Sequence, residues 1–193
     1  IPEVSIKEQG DGYWIVKIHQ FGRRTQTELR AEIEKINAKK PKGVIVDLRK
    51  NPGGLLDTAT SVLENFLPEG STVAHINKRN SSREVKTDKP SVLDPSVRMI
   101  VLIDEGSASA SEIVAAAMQD YARAVIVGKK SFGKGTVQQG LQFNDQSSFK
   151  MTIAEYVSPT KRKIDGIGVI PDKEVDMSEQ DDVQLKEALR MLR

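Results

Sequence analysis

The chain reads as an α/β fold: a layer of mostly parallel strands and helices, followed by a smaller antiparallel β portion. Three observations predict it. Short apolar runs at 44–48, 99–103 and 124–127 lack polar alternation, the mark of strands buried on both faces. Segments with helical spacing lie between them, and strand–helix alternation through residue 127 implies parallel pairing. After a glycine-rich stretch at 128–135, two longer strand-like segments follow at 136–143 and 148–157.

Each element has its own signal. Residues 11–19 form a strand behind a glycine turn. Thr25 and Glu28 have capping-box spacing, and Leu29, Ile33 and Ile36 recur at helical intervals, so a helix is expected over 26–38. Lys39-Lys40-Pro41-Lys42-Gly43 stops it, and the charges there suit a solvated helix end. Strand 44–48 leads into the loop 51–54, and Leu56, Ala59, Leu63 and Phe66 mark a second helix over 55–67. Residues 71–78 and 82–86 suggest an antiparallel excursion around Asn80-Ser81. Strand 99–103 precedes a third helix over about 109–122, whose Ile113, Ala116, Ala117 and Met118 should pack on the sheet. The stretch 158–172 is rich in turns. Asp181-Asp182 can cap a last helix through Leu185, Ala188, Leu189 and Leu192.

Composition narrows the function. The 193 residues suit a single domain over 1–193, and 38% hydrophobic with 29% charged residues is an ordinary globular balance. Its longest apolar run, Ile113 to Met118, is far shorter than the roughly 20 residues of a membrane-spanning helix. A net charge of +2 without an aromatic-rich basic stretch argues against nucleic acid. The clusters Arg23-Arg24 and Lys161-Arg162-Lys163 read as solvated surface. Cysteine is absent, which removes disulfides and thiolate chemistry, and two distant histidines, His19 and His75, supply metal sites and Ser-His triads thinly. No secretion signal stands at Ile1, which leaves a cytosolic chain, a mature form or an excised domain.

Parallel sheets place their sites at the carboxyl ends of strands. Three loops leave such ends, 49–54, 104–109 and 128–135, and should meet in one crevice. The third nearly matches a phosphate-binding loop, but Gly135 stands where the magnesium-binding hydroxyl belongs, and a strand rather than a helix follows. Ser131-Phe132-Gly133-Lys134 also matches S-x-x-K, yet the glycines oppose the helical turn that motif needs. Lys134 could instead serve as base to a serine elsewhere, or be an ordinary solvated lysine. Ser109 could simply cap the third helix with Glu112, or present its hydroxyl to the crevice where helix-start N–H groups stabilise an oxyanion.

Asp47-Leu48-Arg49-Lys50-Asn51-Pro52-Gly53-Gly54-Leu55-Leu56, Glu105 to Ile113, Ser131 to Gln138, and Ile164 to Asp172 occur in that order. Together they resemble the signature blocks of the C-terminal-processing (tail-specific) serine peptidases, over nearly the whole chain. The resemblance implies a ClpP/crotonase-like core. It makes Ser109 the nucleophile, Lys134 the general base and Gln138 the residue that holds the lysine. The oxyanion hole would be the N–H of Ala110 and that of Gly53 or Gly54. Ser107 and Ser111 are neighbours of the nucleophile and not matches to it, and Ser111 should point about 200° away from Ser109 if 109–122 is helical.

The resemblance further implies a serine endopeptidase with a Ser-Lys dyad, needing no metal or cofactor, that cleaves proteins at or near nonpolar C-terminal tails. An extended substrate would pair with a strand edge, and 136–143 could supply it. It implies a place outside the cytoplasm, in a bacterial periplasm or envelope, with a plastid lumen as the alternative. Relatives usually carry a PDZ domain before the core, which this chain lacks, and a homo-oligomer is compatible with the family. The chemistry asks that Lys134 be desolvated and kept from carboxylates, so that it is neutral when it takes a proton. The main rival is a non-catalytic peptide- or ligand-binding module on the same core. A nucleotide-binding protein and a crotonase-like acyl-CoA enzyme are further rivals; the second has no CoA-site signal.

Overall fold

The computed structural model describes residues 2–142, 148–178 and 181–193, so residue 143 of the expected strand 136–143 lies outside the described residues. Its strands are β1 (Val4–Glu8), β2 (Tyr13–Ile18), β3 (Gly43–Asp47), β4 (Thr72–Lys78), β5 (Ser81–Lys86), β6 (Arg98–Ile103), β7 (Val125–Gly128), β8 (Thr136–Gln142), β9 (Ser148–Val157) and β10 (Lys173–Glu174). Its helices are α1 (Arg23–Ala38), α2 (Leu56–Leu63), α3 (Ala110–Asp120) and α4 (Val183–Leu192).

One sheet runs β1-β2-β3-β6-β7-β10, parallel from β2 to β10, with β1 antiparallel at its edge. The second runs β5-β4-β9-β8 and is antiparallel throughout. The expected α/β class with an antiparallel addition is therefore the observed one.

The unbroken apolar runs have a direct cause. Along β3, Val44 and Val46 enter the core shared with α1, α2 and α3, while Ile45 points to the other face, where Tyr13, Ile100, Leu102 and Val127 meet Ala188 and Leu192 of α4. Helices cover both faces, so neither face tolerates polar side chains. Ile113, Ala116, Ala117 and Met118 of α3 are all buried, as expected.

Three local features differ from expectation. Strands β1 and β10 lie outside the strands expected from the sequence: β1 is short and mostly exposed, and β10 has two residues. Helix α1 begins at Arg23, with Gly22 as its cap, rather than near Thr25. Its end is satisfied from β1's side of the chain: Glu3 Oε2 accepts the Thr25 N–H at 2.7 Å, and Thr25 Oγ1 accepts the Gly22 N–H at 3.3 Å. A cap supplied from 22 residues away leaves no local spacing signal. The last helix does follow its local signal, since Asp182 accepts the Leu185 N–H at 3.0 Å.

Candidate active site

The three loops at the strand ends meet. The Ala108 N–H donates to the Asn51 carbonyl at 3.0 Å, Lys50 N–H to Asp104 Oδ1 at 2.8 Å, and Phe132 N–H to the Ser107 carbonyl at 3.0 Å. Buried Ser107 donates its hydroxyl to the Leu48 carbonyl at 2.9 Å and receives the Asp104 N–H at 3.0 Å. Ser111 turns the other way, as its helical position requires, and donates to the Asn51 carbonyl at 3.0 Å. Both neighbouring serines thus join loops.

Ser109 differs from them. It is the N-cap of α3 with φ 55° and ψ −115°, a backbone conformation that L residues adopt at a cost. Its side chain makes no cap hydrogen bond; the Glu112 N–H goes to the Ser109 carbonyl at 2.9 Å instead. The glutamate half of the capping arrangement does form, with the Ser109 N–H donating to Glu112 Oε2 at 2.9 Å.

Ser109, Ala110, Gly54, Lys134 and Gln138 line one cavity of about 430 Å³, together with apolar Leu55, Leu56, Ile113 and Val137. Gly53 lies behind it, against Ser109. The two glycines are distinguished by their N–H groups. That of Gly53 donates to Asn51 Oδ1 at 2.9 Å, whereas no protein acceptor takes that of Gly54 among the described residues. Both need glycine: φ is +102° at Gly53 and +149° at Gly54, and a Cβ on Gly54 would lie 2.3 Å from the Phe21 carbonyl oxygen. At the start of α3 the Ser111 N–H bonds the Ala108 carbonyl, while that of Ala110 has no acceptor among the described residues. Two N–H groups without an acceptor among the described residues thus belong to residues that line the cavity with Ser109, one in the loop and one at the helix start, where the macrodipole also favours negative charge.

Lys134 departs from expectation. It is exposed, as is Gln138. Among the described residues its Nζ has neither an ion pair nor a hydrogen bond, so it is clear of direct carboxylate pairing, but burial does not dry it. A bulge between Val137 and Gln138 shifts the β8–β9 register beside the site.

The segment 131–134 is not helical, and Ser131 is buried with its hydroxyl donated to Glu112 Oε1 at 2.6 Å. The S-x-x-K reading fails on both counts. The phosphate-loop reading fails because β8, not a helix, follows the glycines. The lysine loop instead rests on the last signature segment: the Gly166 N–H donates to the Gly133 carbonyl at 2.9 Å, Gly135 N–H to Asp165 Oδ1 at 3.1 Å, and Val169 N–H to Ser131 Oγ at 2.7 Å.

Two residues at the site were not singled out from the sequence in this role. Glu112, entirely buried, contacts both the nucleophile turn and the lysine loop. Tyr156, 3% exposed, lines the cavity, donates its hydroxyl to the Lys134 carbonyl and lies beside Ser109. Burial, joined by the Glu112 and Asp165 charges, pushes its phenol far above the ordinary range against a weaker opposing pull from Ser109, so it stays neutral and can donate. The capping spacing flagged Glu112 only as a helix residue, and a tyrosine 47 residues beyond Ser109 carries no motif.

Known proteins resemble this chain in sequence and in fold. The family model described as Peptidase family S41 matches residues 12–175. A carboxy-terminal-processing protease of Bartonella bacilliformis is 41% identical over 177 residues, covering 89% of this chain and 40% of that protein. A carboxyl-terminal-processing protease of Synechocystis sp. is 33% identical over 198 residues, covering 95% of this chain and 44% of that protein. The chain thus spans less than half the length of these relatives. Among solved structures, the photosystem II D1 C-terminal processing protease superposes with a TM-score of 0.85 at 27% identity, covering all of this chain and 53% of that one.

Proposed function

The chain belongs to peptidase family S41, and from that premise we propose that it is the proteolytic core of a C-terminal-processing serine endopeptidase. Ser109 is the nucleophile, Lys134 the general base, Gln138 the residue that orients the lysine, and the N–H groups of Ala110 and Gly54 form the oxyanion hole. The observation that carries the reading is the strained Ser109 at the start of α3, in one cavity with Lys134 and two acceptor-free N–H groups.

The cycle uses only this chain's groups and water. Ser109 Oγ attacks the scissile carbonyl carbon while Lys134 Nζ takes the hydroxyl proton. The negative carbonyl oxygen sits between the two N–H donors, whose strength rises as substrate displaces water. Collapse breaks the C–N bond, the proton on Nζ passes to the departing amine, and an ester to Ser109 remains. Water, deprotonated by the same lysine, then hydrolyses it. Gln138 suits its place because an amide orients an amine without stabilising its positive charge.

With Lys134 exposed, the substrate has a second role in this reading. An extended tail laid along the edge strand β8 would cover the lysine and lower its proton affinity by desolvation. Apolar Leu55, Leu56, Ile113 and Val137 favour nonpolar tails. The full-length protein is proposed to carry a PDZ domain before this core, to act outside the cytoplasm, and to admit self-association. Among the described residues no helix is long and apolar enough to cross a membrane.

The test is cleavage of an unfolded protein with an apolar tail, read by mass spectrometry, for this chain, Ser109→Ala and Lys134→Ala. Loss in both variants is expected, and cleavage by Ser109→Ala would overturn the assignment. The second reading, a peptide-binding module, is favoured by the exposed, unbonded Lys134. It would show tail binding with no cleavage and no labelling of Ser109 by a serine-reactive phosphonate.

A further inference from the structure

Glu112 takes no part in the cycle above, yet its carboxylate is the most heavily bonded group at the site. Oε1 accepts the Ser131 hydroxyl and the Gly133 N–H, each at 2.6 Å, and Oε2 accepts the Ser109 N–H at 2.9 Å and the Lys134 N–H at 2.8 Å. Both oxygens carry two donors, which fills the lone-pair capacity of a carboxylate. The side chain is 0% exposed, and among the described residues no cation pairs with it. A buried carboxylate is costly unless hydrogen bonds meet its charge, and here three backbone N–H groups and a hydroxyl do so.

A helix cap requires only the bond to Ser109. The other three bonds all go to the segment 131–134, so the carboxylate ties the turn that carries Ser109 to the loop that carries Lys134, and on Oε2 the two backbone N–H groups share one atom. The Lys134 peptide is held on its other side as well, through its carbonyl, by Tyr156. We propose that Glu112 is a positioning residue: its buried carboxylate sets the register between the Ser109 turn and the Lys134 loop. The proposal rests on the reading of Ser109 and Lys134 as nucleophile and base. A glutamine cannot substitute, because one of its two terminal atoms is a donor and would face two further donors.

The experiment compares the chain with Glu112→Gln by backbone amide hydrogen exchange and by kcat and KM on the tail substrate. In E112Q the amides of Ser109, Gly133 and Lys134 are expected to exchange faster together, by about tenfold or more, the fold-change of a 1.4 kcal/mol loss. kcat is expected to fall about 10²-fold, the scale of a 1 Å misplacement of reacting groups, with KM within about threefold. A plain cap would loosen Ser109 alone and leave kcat intact, and that result overturns the proposal. Should E112Q fail to fold, Ser131→Ala, which removes one donor and keeps the carboxylate, is expected to speed Gly133 and Lys134 exchange and lower kcat several-fold; no change in either overturns it. The two readings separate cleanly. If the parent chain cleaves nothing while the three amides loosen together in E112Q, the register stands and the peptidase reading falls. If both proteins cleave equally, the register falls and the peptidase reading stands.

Discussion

Gly53 packs so closely against Ser109 that a Cβ added to the glycine would lie 2.7 Å from the Ser109 Cβ, and as close to the Ala108 carbonyl oxygen. The contact makes the 51–54 loop the back wall of the nucleophile turn. Gly53→Ala meets both this wall and a φ of +102°, so the turn must move. The expected outcome is a loss of about 1–3 kcal/mol in stability, with phosphonate labelling of Ser109 slowed beyond what the melting shift explains. Thermal unfolding and labelling rates on the same sample check it.

Tyr156→Phe removes the hydroxyl that holds the Lys134 carbonyl and leaves that acceptor without its partner. The expected loss is about 1 kcal/mol, read from the urea midpoint, with kcat reduced by about tenfold and KM nearly unchanged. A variant as active as the parent would remove Tyr156 from the lysine's support.

Ser107→Ala unlinks two strand-end loops rather than the reacting groups. Its buried hydroxyl receives the Asp104 N–H and donates to the Leu48 carbonyl, so truncation leaves a buried donor and a buried acceptor without that hydroxyl. A loss of about 1–3 kcal/mol is expected in chemical denaturation, with Ser109 still labelled at a near-parental rate.

Arg49 sets an acid limit on stability. Burial raises the Asp47 pKa, but the Arg49 guanidinium, with Lys17, more than offsets this and holds it below the usual carboxylate range; hydrogen bonding from Arg49 lowers Asp182 likewise. A carboxyl group whose folded pKa is depressed adds stability above its unfolded pKa of about 3.9, and that stability is lost as pH falls through the lower folded value. Stability should therefore decline below about pH 4. Arg49→Gln should cost about 1–2 kcal/mol at pH 7, less than a fully buried pair because Asp182 and Lys17 are open to water, and should flatten the acid decline. Urea midpoints at pH 7 and pH 3 for both proteins decide it.

The stretches legible in the sequence were those where local chemistry and tertiary demand coincide. Val44 to Leu48 and Met99 to Ile103 must be apolar on both faces because helices cover both, so their composition announces buried strands. Asp182 caps α4 from its own neighbourhood. The beginning of α1 is not legible locally because Gly22 is its cap and the acceptor for the Thr25 N–H is the distant Glu3, and β1 is not because an exposed edge strand needs no apolar pattern. The four signature segments pointed to Ser109, Lys134 and Gln138, and their order along the chain told more than the spacing within any one of them.

The sequence by itself determined the fold class, the family and the residues to be brought together. Only the tertiary structure decided how they stand: Ser109 at a left-handed φ with its hydroxyl free of capping, the N–H of Gly53 taken by Asn51 while that of Gly54 has no acceptor among the described residues, Lys134 exposed, and Glu112 and Tyr156 gripping its peptide from two sides. The reason is physical. Periodicity and motif spacing record what a residue does within its own element, while strain, hydrogen-bond competition and exposure are set by atoms that arrive from elsewhere in the chain.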